Sequence, residues 1–262
     1  MKIRAGYIQF APVLGEVKEN IERVTALLEK ARGTNLVVLP ELCSTGYAFL
    51  NRKEAKGFSE TIPGGITTKT LLRSAGELQM YIVAGVNERD GSRLYNSAVV
   101  VGPEGYIGKY RKMHLFNKEK LIYDPGDLGF PVFDAGGIPL GVLICFDWAF
   151  PEVWRMLALE GVEVIAHPSN LILKNLAHRV LPIHSLINRV FIISANRIGE
   201  ERGLKFIGSS MITNPKGRVL RRAPPDHPAI QSVMIDPSEA KNKMVTERNH
   251  LFSDRRPEWY RL

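Results

Sequence analysis

GVLICFDWAFPE, Gly141 to Glu152, sets a strand against a helix with a cysteine at the joint. The apolar run Val142 to Ile144 leads straight into Cys145, and Pro151 follows a few residues later. A short continuous apolar run bounded by such signals is the pattern of a buried strand. Proline suits the first turn of a helix, because the N–H it lacks would have no partner there. Strand, sharp connection and helix together form the repeating unit of an α/β protein. Cys145 then has two readings. It fills the core, as buried cysteines commonly do, or the strand end holds it out as a reactive group.

The same alternation extends in both directions. Upstream, IRAGYIQF (Ile3 to Phe10) reads as a strand. Residues 18–32 carry Ile21, Val24, Leu27, Leu28 and Ala31 on a period of about 3.6 residues, which predicts an amphipathic helix. LVVLP (Leu36 to Pro40) is a second buried-strand run, and after the loop IPGG (Ile62 to Gly65) a helix is expected from Thr67 to Gln79. YIVAGV (Tyr81 to Val86) and YNSAVVVGP (Tyr95 to Pro103) follow as strands. Downstream, GVLICF reads as a strand, Pro151 to Glu160 as a helix and VEVIAHP (Val162 to Pro168) as a strand. A helix is expected over His178 to Arg189, then strands at FIISANR (Phe191 to Arg197), SSMITNP (Ser209 to Pro215) and SVMID (Ser232 to Asp236). The second half echoes the first, and no low-complexity linker divides the chain. A single α/β domain over residues 1–262 is expected, with helices on the outer faces of its sheets.

The chain has 262 residues, 45% hydrophobic and 24% charged, the composition of a soluble globular protein. Its longest apolar runs are too short to span a bilayer, and MKIRAGYIQF enters a strand pattern without the layout of a signal peptide. Cys43 and Cys145 offer neither a disulfide framework nor a metal spacing, which points to a reducing, cytoplasmic setting. The net charge of +8 raises the question of nucleic acid. The cations concentrate in KGRVLRR (Lys216 to Arg222) and around Arg255 and Arg256, while acidic residues interrupt most other cationic stretches. No zinc-finger, RNA-recognition or basic-zipper motif is present, so a solvated surface is expected, with no nucleic-acid or membrane partner. The six histidines lack ligand spacing, and P-loop, dinucleotide and Gly-x-Ser-x-Gly patterns are absent. Neither a metal nor a cofactor is expected.

Three segments place a reactive side chain at the exit of a strand: VVLPE ends in Glu41, YIGKYRKMHLF contains Lys112, and VLICFD delivers Cys145. Strand ends are where α/β proteins gather chemistry, because the sheet fixes the loops that leave it. A thiol is mostly protonated at neutral pH and needs a base to become a nucleophile. A carboxylate can be that base, and a lysine ammonium can lower the thiol pKa and hold an oxyanion. Each residue alone reads as packing, a cap or a solvated charge. Together they make an acyl-transfer site. Cys43, two positions past Glu41, is read as a bystander.

LVVLPELCSTGY (Leu36 to Tyr47), GKYRKMHLF (Gly108 to Phe116) and GVLICFDWAFPE resemble, in order and spacing, the three motif regions of the nitrilase superfamily, the carbon–nitrogen hydrolases. The likeness runs from AGYIQFAP near the start to DRRPEWY near the end, and is greatest to short archaeal members of hyperthermophile type. It implies an α-β-β-α sandwich with Cys145 as nucleophile, Glu41 as general base and Lys112 as oxyanion stabiliser. It further implies Glu119 as a second glutamate with a structural or proton-handling role, and the Phe146 N–H in the oxyanion hole. It also implies a homodimer or larger homo-oligomer, joined through the helices after Cys145 and around His178 to Arg189, with the tail from about residue 250 to 262 crossing to the partner.

Two departures bear on the substrate. Many relatives that recognise a substrate carboxylate carry an arginine soon after the nucleophile, whereas this chain has none before Arg155. Many long-chain nitrilases follow the cysteine with Trp-Glu, and here it is Phe146-Asp147. The first leans toward an uncharged substrate and the second toward an amide, while the likeness to short archaeal members described as nitrilases leans toward a nitrile. A small neutral amide is expected, with a small nitrile as the alternative and a non-catalytic scaffold as the rival from another class. Trp148 and Phe150 are expected as an apolar wall, and Tyr47 and Asn170 as pocket residues, Asn170 because it follows a strand end at HPSN (His167 to Asn170).

Overall fold

Residues 1–260 are described by a computed structural model of the chain. The first half runs β1 (Ile3–Gln9), α1 (Val17–Lys30), β2 (Leu36–Val38), α2 (Arg52–Gly57), α3 (Ile66–Leu78), β3 (Tyr81–Asp90), β4 (Arg93–Gly102) and β5 (Gly105–Arg111). Then come α4 (Glu119–Ile122), β6 (Phe133–Asp134), β7 (Pro139–Val142), α5 (Pro151–Leu159), β8 (Val164–Ser169), α6 (Ala177–Asn188) and β9 (Phe191–Asn196). A small hairpin, β10 (Glu200–Glu201) and β11 (Leu204–Lys205), precedes β12 (Met211–Thr213), β13 (Val219–Arg222) and β14 (Ala229–Ile235). One six-stranded sheet has the order β14-β1-β2-β3-β4-β5, the other β13-β12-β9-β8-β7-β6. In each, three central strands are parallel (β1-β2-β3 and β7-β8-β9) and the flanks are antiparallel.

Alternation along the strands builds four layers. In β1, Ile3, Ala5 and Tyr7 face the other sheet, while Ile8 joins Val24 and Leu28 of α1 and Leu71 and Ala75 of α3. In β8 and β9, Val164, Ala166, Phe191 and Ile193 face inward, and Ile165 and Ile192 meet Trp154 of α5 and Leu181 of α6. A strand points successive side chains to opposite faces, so apolar strands can bury both. The result is an α-β-β-α sandwich, as expected.

The structure corrects several boundaries. Regular pairing in GVLICF stops at Val142, because Cys145 takes a left-handed backbone, φ +44°, and opens a short 3-10 turn, Cys145–Ala149. SSMITNP pairs regularly only over Met211–Thr213, and SVMID is the end of a longer strand that pairs with β1 along its whole length. KGRVLRR contributes β13, an edge strand whose arginines face solvent, a common protection of a sheet edge. The short helices α2 and α4 cannot display a helical period, although Asn51, whose side chain accepts from Glu54 N, is a local start signal for α2. The last two residues of the expected partner-contacting tail, Arg261 and Leu262, lie outside the described residues.

Candidate active site

Four of the expected residues stand just beyond strand ends, and main-chain contacts hold the segments of Glu41 and Lys112 there. The chain leaving β2 continues along β3: Leu39 N donates to Val83 O (2.8 Å), Gly85 N to Pro40 O (3.1 Å) and Cys43 N to Gly85 O (3.0 Å). Gly85 permits this approach, because a Cβ there would sit 2.4 Å from the Glu41 Cα. Lys112 is the first residue past β5. Its N–H donates to Asn96 O at 2.8 Å, and its carbonyl accepts from Gly126 N at 2.9 Å. Cys145 follows β7 through Leu143 and Ile144, and Asn170 follows β8 directly.

Glu41, Lys112 and Glu119 form one buried cluster, exposed by 0%, 1% and 3% respectively. Lys112 Nζ donates to Glu41 Oε1 at 2.7 Å and lies 2.9 Å from both Glu119 oxygens. Asn96 Nδ2 donates to the same Glu41 oxygen at 2.6 Å, and Phe116 N to Glu119 Oε2 at 3.1 Å. Glu41 Oε2 has no partner. Burial works against the Lys112 ammonium, but Glu119 and Glu41 together outweigh it and hold its pKa well above the usual lysine value. Burial raises the pKa of Glu41 despite the lowering influence of Lys112 and Asn96. Burial, with the charge of Glu41, also pushes the Cys145 thiol well up, against Lys112 and an N–H from Asn170. The resting arrangement is therefore a neutral thiol within the field of a fixed cation and a carboxyl group with one free oxygen. Such a group can take a proton and return it.

The turn carrying Cys145 is held on several sides. Asp147 is wholly buried; its Oδ2 accepts from Ile144 N (2.7 Å) and the Tyr110 hydroxyl (2.9 Å), and its Oδ1 lies 2.7 Å from His114 Nδ1. Trp154 Nε1 donates to the Asp147 carbonyl at 3.0 Å. His167 Nε2 lies 2.9 Å from the Cys145 carbonyl, and its Nδ1 lies 3.0 Å from the hydroxyls of Ser194 and Ser169. Burial pulls the His167 pKa down to about 4, so the ring is neutral at pH 7 and donates from Nε2 to that carbonyl. A non-glycine residue at positive φ costs on the order of 1–3 kcal/mol and persists only when its surroundings over-determine it. Here they do.

The expected pocket residues divide between two cavities. Cys145, Phe146, Trp148 and Asn170 line a slot of about 20 Å³, enough to hold a water. Tyr47 and Glu119 line a larger cavity of about 200 Å³ with Phe49, Ile122 and Tyr123. Phe116 and Ile172 border both. Burial and the nearby charges of Glu119, Glu41 and Cys145 hold the Tyr47 hydroxyl pKa well above its usual value. Phe150 stacks on the His114 ring at 3.6 Å between centroids and meets the Phe146 ring edge-on at 5.4 Å. Cys43 is buried in the helix-facing core with Leu39 and Leu71, and burial pushes its thiol up to about 12. Asn96, Asp147 and His167 were not singled out from sequence as site residues. Ligand spacing among histidines does not reveal His167, and a carboxylate two positions past a strand-end cysteine is the signal that could reveal Asp147.

The sequence profile described as carbon-nitrogen hydrolase matches residues 4–243. The chain is 49% identical to a nitrilase of Pyrococcus abyssi over 98% of its own length and 99% of that protein's. It is 35% identical to an (R)-stereoselective amidase of a Pseudomonas species, covering 82% of this chain and 79% of the relative. Its fold superposes on the crystal structure of a carbon-nitrogen hydrolase from Helicobacter pylori with a TM-score of 0.87, at 29% identity, covering 99% of this chain and 97% of that one.

Proposed function

This chain belongs to the carbon–nitrogen hydrolase family, and from that premise we propose that it hydrolyses small neutral amides to carboxylic acid and ammonia through a thioester on Cys145. The free oxygen of Glu41, buried beside a neutral thiol and a charged lysine, carries this reading. Glu41 takes the thiol proton as sulfur attacks the amide carbon. Lys112 and the Phe146 N–H hold the oxyanion. Glu41 returns the proton to nitrogen, the C–N bond breaks and ammonia leaves. Water, deprotonated by Glu41, then releases the acid and restores the thiol. Glu119 fixes the Lys112 ammonium and needs no proton of its own in this scheme.

The surroundings favour an uncharged substrate. Beside Cys145 the slot presents Phe116, Phe146, Trp148, Leu171, Ile172 and Leu173. Arg155, the first arginine after the nucleophile, donates instead to the Ile187 carbonyl at 2.7 Å. Arg202 borders the larger cavity, but Glu54 engages it through both oxygens, at 2.6 and 2.8 Å. Lys118 also borders the larger cavity, but in the apolar slot beside Cys145 a substrate carboxylate would find no cation in the lining and would be costly to bury.

The name of the Pyrococcus abyssi relative supports a second reading, nitrile hydrolysis. The same thiolate would add to a nitrile to give a thioimidate, and water would bring it to the tetrahedral species an amide reaches in one step. We expect kcat/KM for uncharged primary amides to exceed that for matched nitriles and for amides bearing a free carboxylate, with ammonia release as the assay. Nitriles outpacing their own amides by about tenfold, roughly 1.4 kcal/mol at the transition state, would reverse the choice.

A homodimer fits the surface. Met156 and Leu159 on α5 and Ile183, Leu186 and Ile187 on α6 are exposed, as are Trp259 and Tyr260 in the tail. Neighbouring exposed apolar side chains mark an association face, and aromatics anchor one. Light scattering at micromolar concentration should give a dimer, Ile183→Glu should shift it toward monomer, and removal of residues 254–262 should weaken it. A wild-type monomer would refute the assembly. Among the described residues no helix is long and apolar enough to cross a membrane, and two unpaired thiols fit a reducing, cytoplasmic setting.

A further inference from the structure

Asn170 places an unpaired acceptor beside the nucleophile. The residue is 2% exposed, its Nδ2 donates to the Glu41 carbonyl at 3.0 Å, and its Oδ1 has no partner. That donation fixes which way the side-chain amide is turned. Reversed, Oδ1 would face the Glu41 oxygen, acceptor against acceptor. Asn170 lines the same slot that Cys145 lines, directly after β8. A buried carbonyl oxygen without a donor is costly, and at a binding site it marks where a ligand donor belongs.

We propose that Asn170 Oδ1 accepts a hydrogen bond from the N–H of the substrate amide and thereby selects for amides, a role that rests on the amide-hydrolase reading above. A primary amide keeps its N–H bonds when sulfur adds, so the contact persists into the tetrahedral species. Holding one N–H on Asn170 leaves the nitrogen lone pair free for the proton that Glu41 delivers as the C–N bond breaks. An ester of the same acid has no N–H and would set an alkoxy oxygen against Oδ1. A site built to receive a donor discriminates strongly against an analogue that lacks it.

The test compares a primary amide with the methyl ester of the same acid, measuring kcat/KM for the wild type, Asn170→Ala and Asn170→Ser. The amide-to-ester ratio should fall by at least about tenfold in both variants, the loss falling mainly on the amide. A purely structural role through the Glu41 carbonyl would displace the base itself and so would slow the ester, and the alkylation of Cys145 by N-ethylmaleimide, along with the amide, since Glu41 takes the thiol proton in every case. Parallel losses would therefore overturn the assignment. A wild-type protein that hydrolyses the ester but no amide would overturn the amide reading itself, an outcome distinct from parallel losses.

Discussion

Cys145→Ala abolishes turnover, by on the order of 10⁴-fold or more, for amides and nitriles alike. Both substrates need the same sulfur, and a methyl group cannot form the thioester or the thioimidate. The fold should survive. His167 grips the carbonyl of residue 145, Asp147 grips the N–H of Ile144, and neither hydrogen bond involves the sulfur. Alanine meets the same left-handed backbone constraint that cysteine already meets at φ +44°. The stability change is therefore expected to stay within roughly 1 kcal/mol. Cys43→Ala should retain activity, because that thiol is buried in the core between the first sheet and its helices. Substantial turnover by purified Cys145→Ala would end the mechanism.

Lys112→Met carries the second-largest expected effect, on activity and on stability together. The substitution keeps most of the side-chain volume but leaves Glu41 and Glu119 buried without the cation between them. Loss of the oxyanion charge alone is worth roughly 10²–10³ in rate, and disorder of the base adds to it. Removing one partner of a buried ion pair typically costs about 3–5 kcal/mol. The pH dependence follows from Glu41. Its carboxyl is already raised by burial, and without Lys112 it rises further. A folded-state pKa above the unfolded value gives stability that is fully present below the unfolded carboxyl pKa and is lost as pH rises through the folded one. The variant should therefore lose more stability at pH 8 than at pH 5 in denaturant unfolding. Adding Glu119→Gln should recover stability without recovering activity. A Lys112→Met protein as stable at pH 8 as the wild type would contradict the charge balance described for the cluster.

Much of this architecture was legible because burial leaves a pattern, periodic in the helices and continuous in the central strands. Val162 to Pro168 and Phe191 to Arg197 read as strands since both their faces are covered, one by a sheet and one by helices. Glu41, Lys112 and Cys145 stood out because each follows a strand that is otherwise apolar or regularly paired. The clamps did not stand out. Asp147 works through Tyr110 and His114, which belong to a distant segment, and His167 works through a main-chain carbonyl. Neither partner type leaves a local spacing. Asn96 was hidden for a related reason: it lies inside a buried strand, and only the pairing of β4 with β3 and β5 carries it to Glu41. The division of the pocket around Phe116 and Ile172 depends on the path of loops, which alternation does not encode.

The central claim is a covalent acyl group on Cys145, and the most direct measurement is intact-protein mass after acid quench during turnover of a slowly deacylated amide. The protein should gain the mass of the acyl group less one hydrogen, proteolysis should place it on the peptide containing Cys145, and hydroxylamine should divert it to a hydroxamate. Steady ammonia release with that peptide unmodified, and with no hydroxamate formed, would contradict the account.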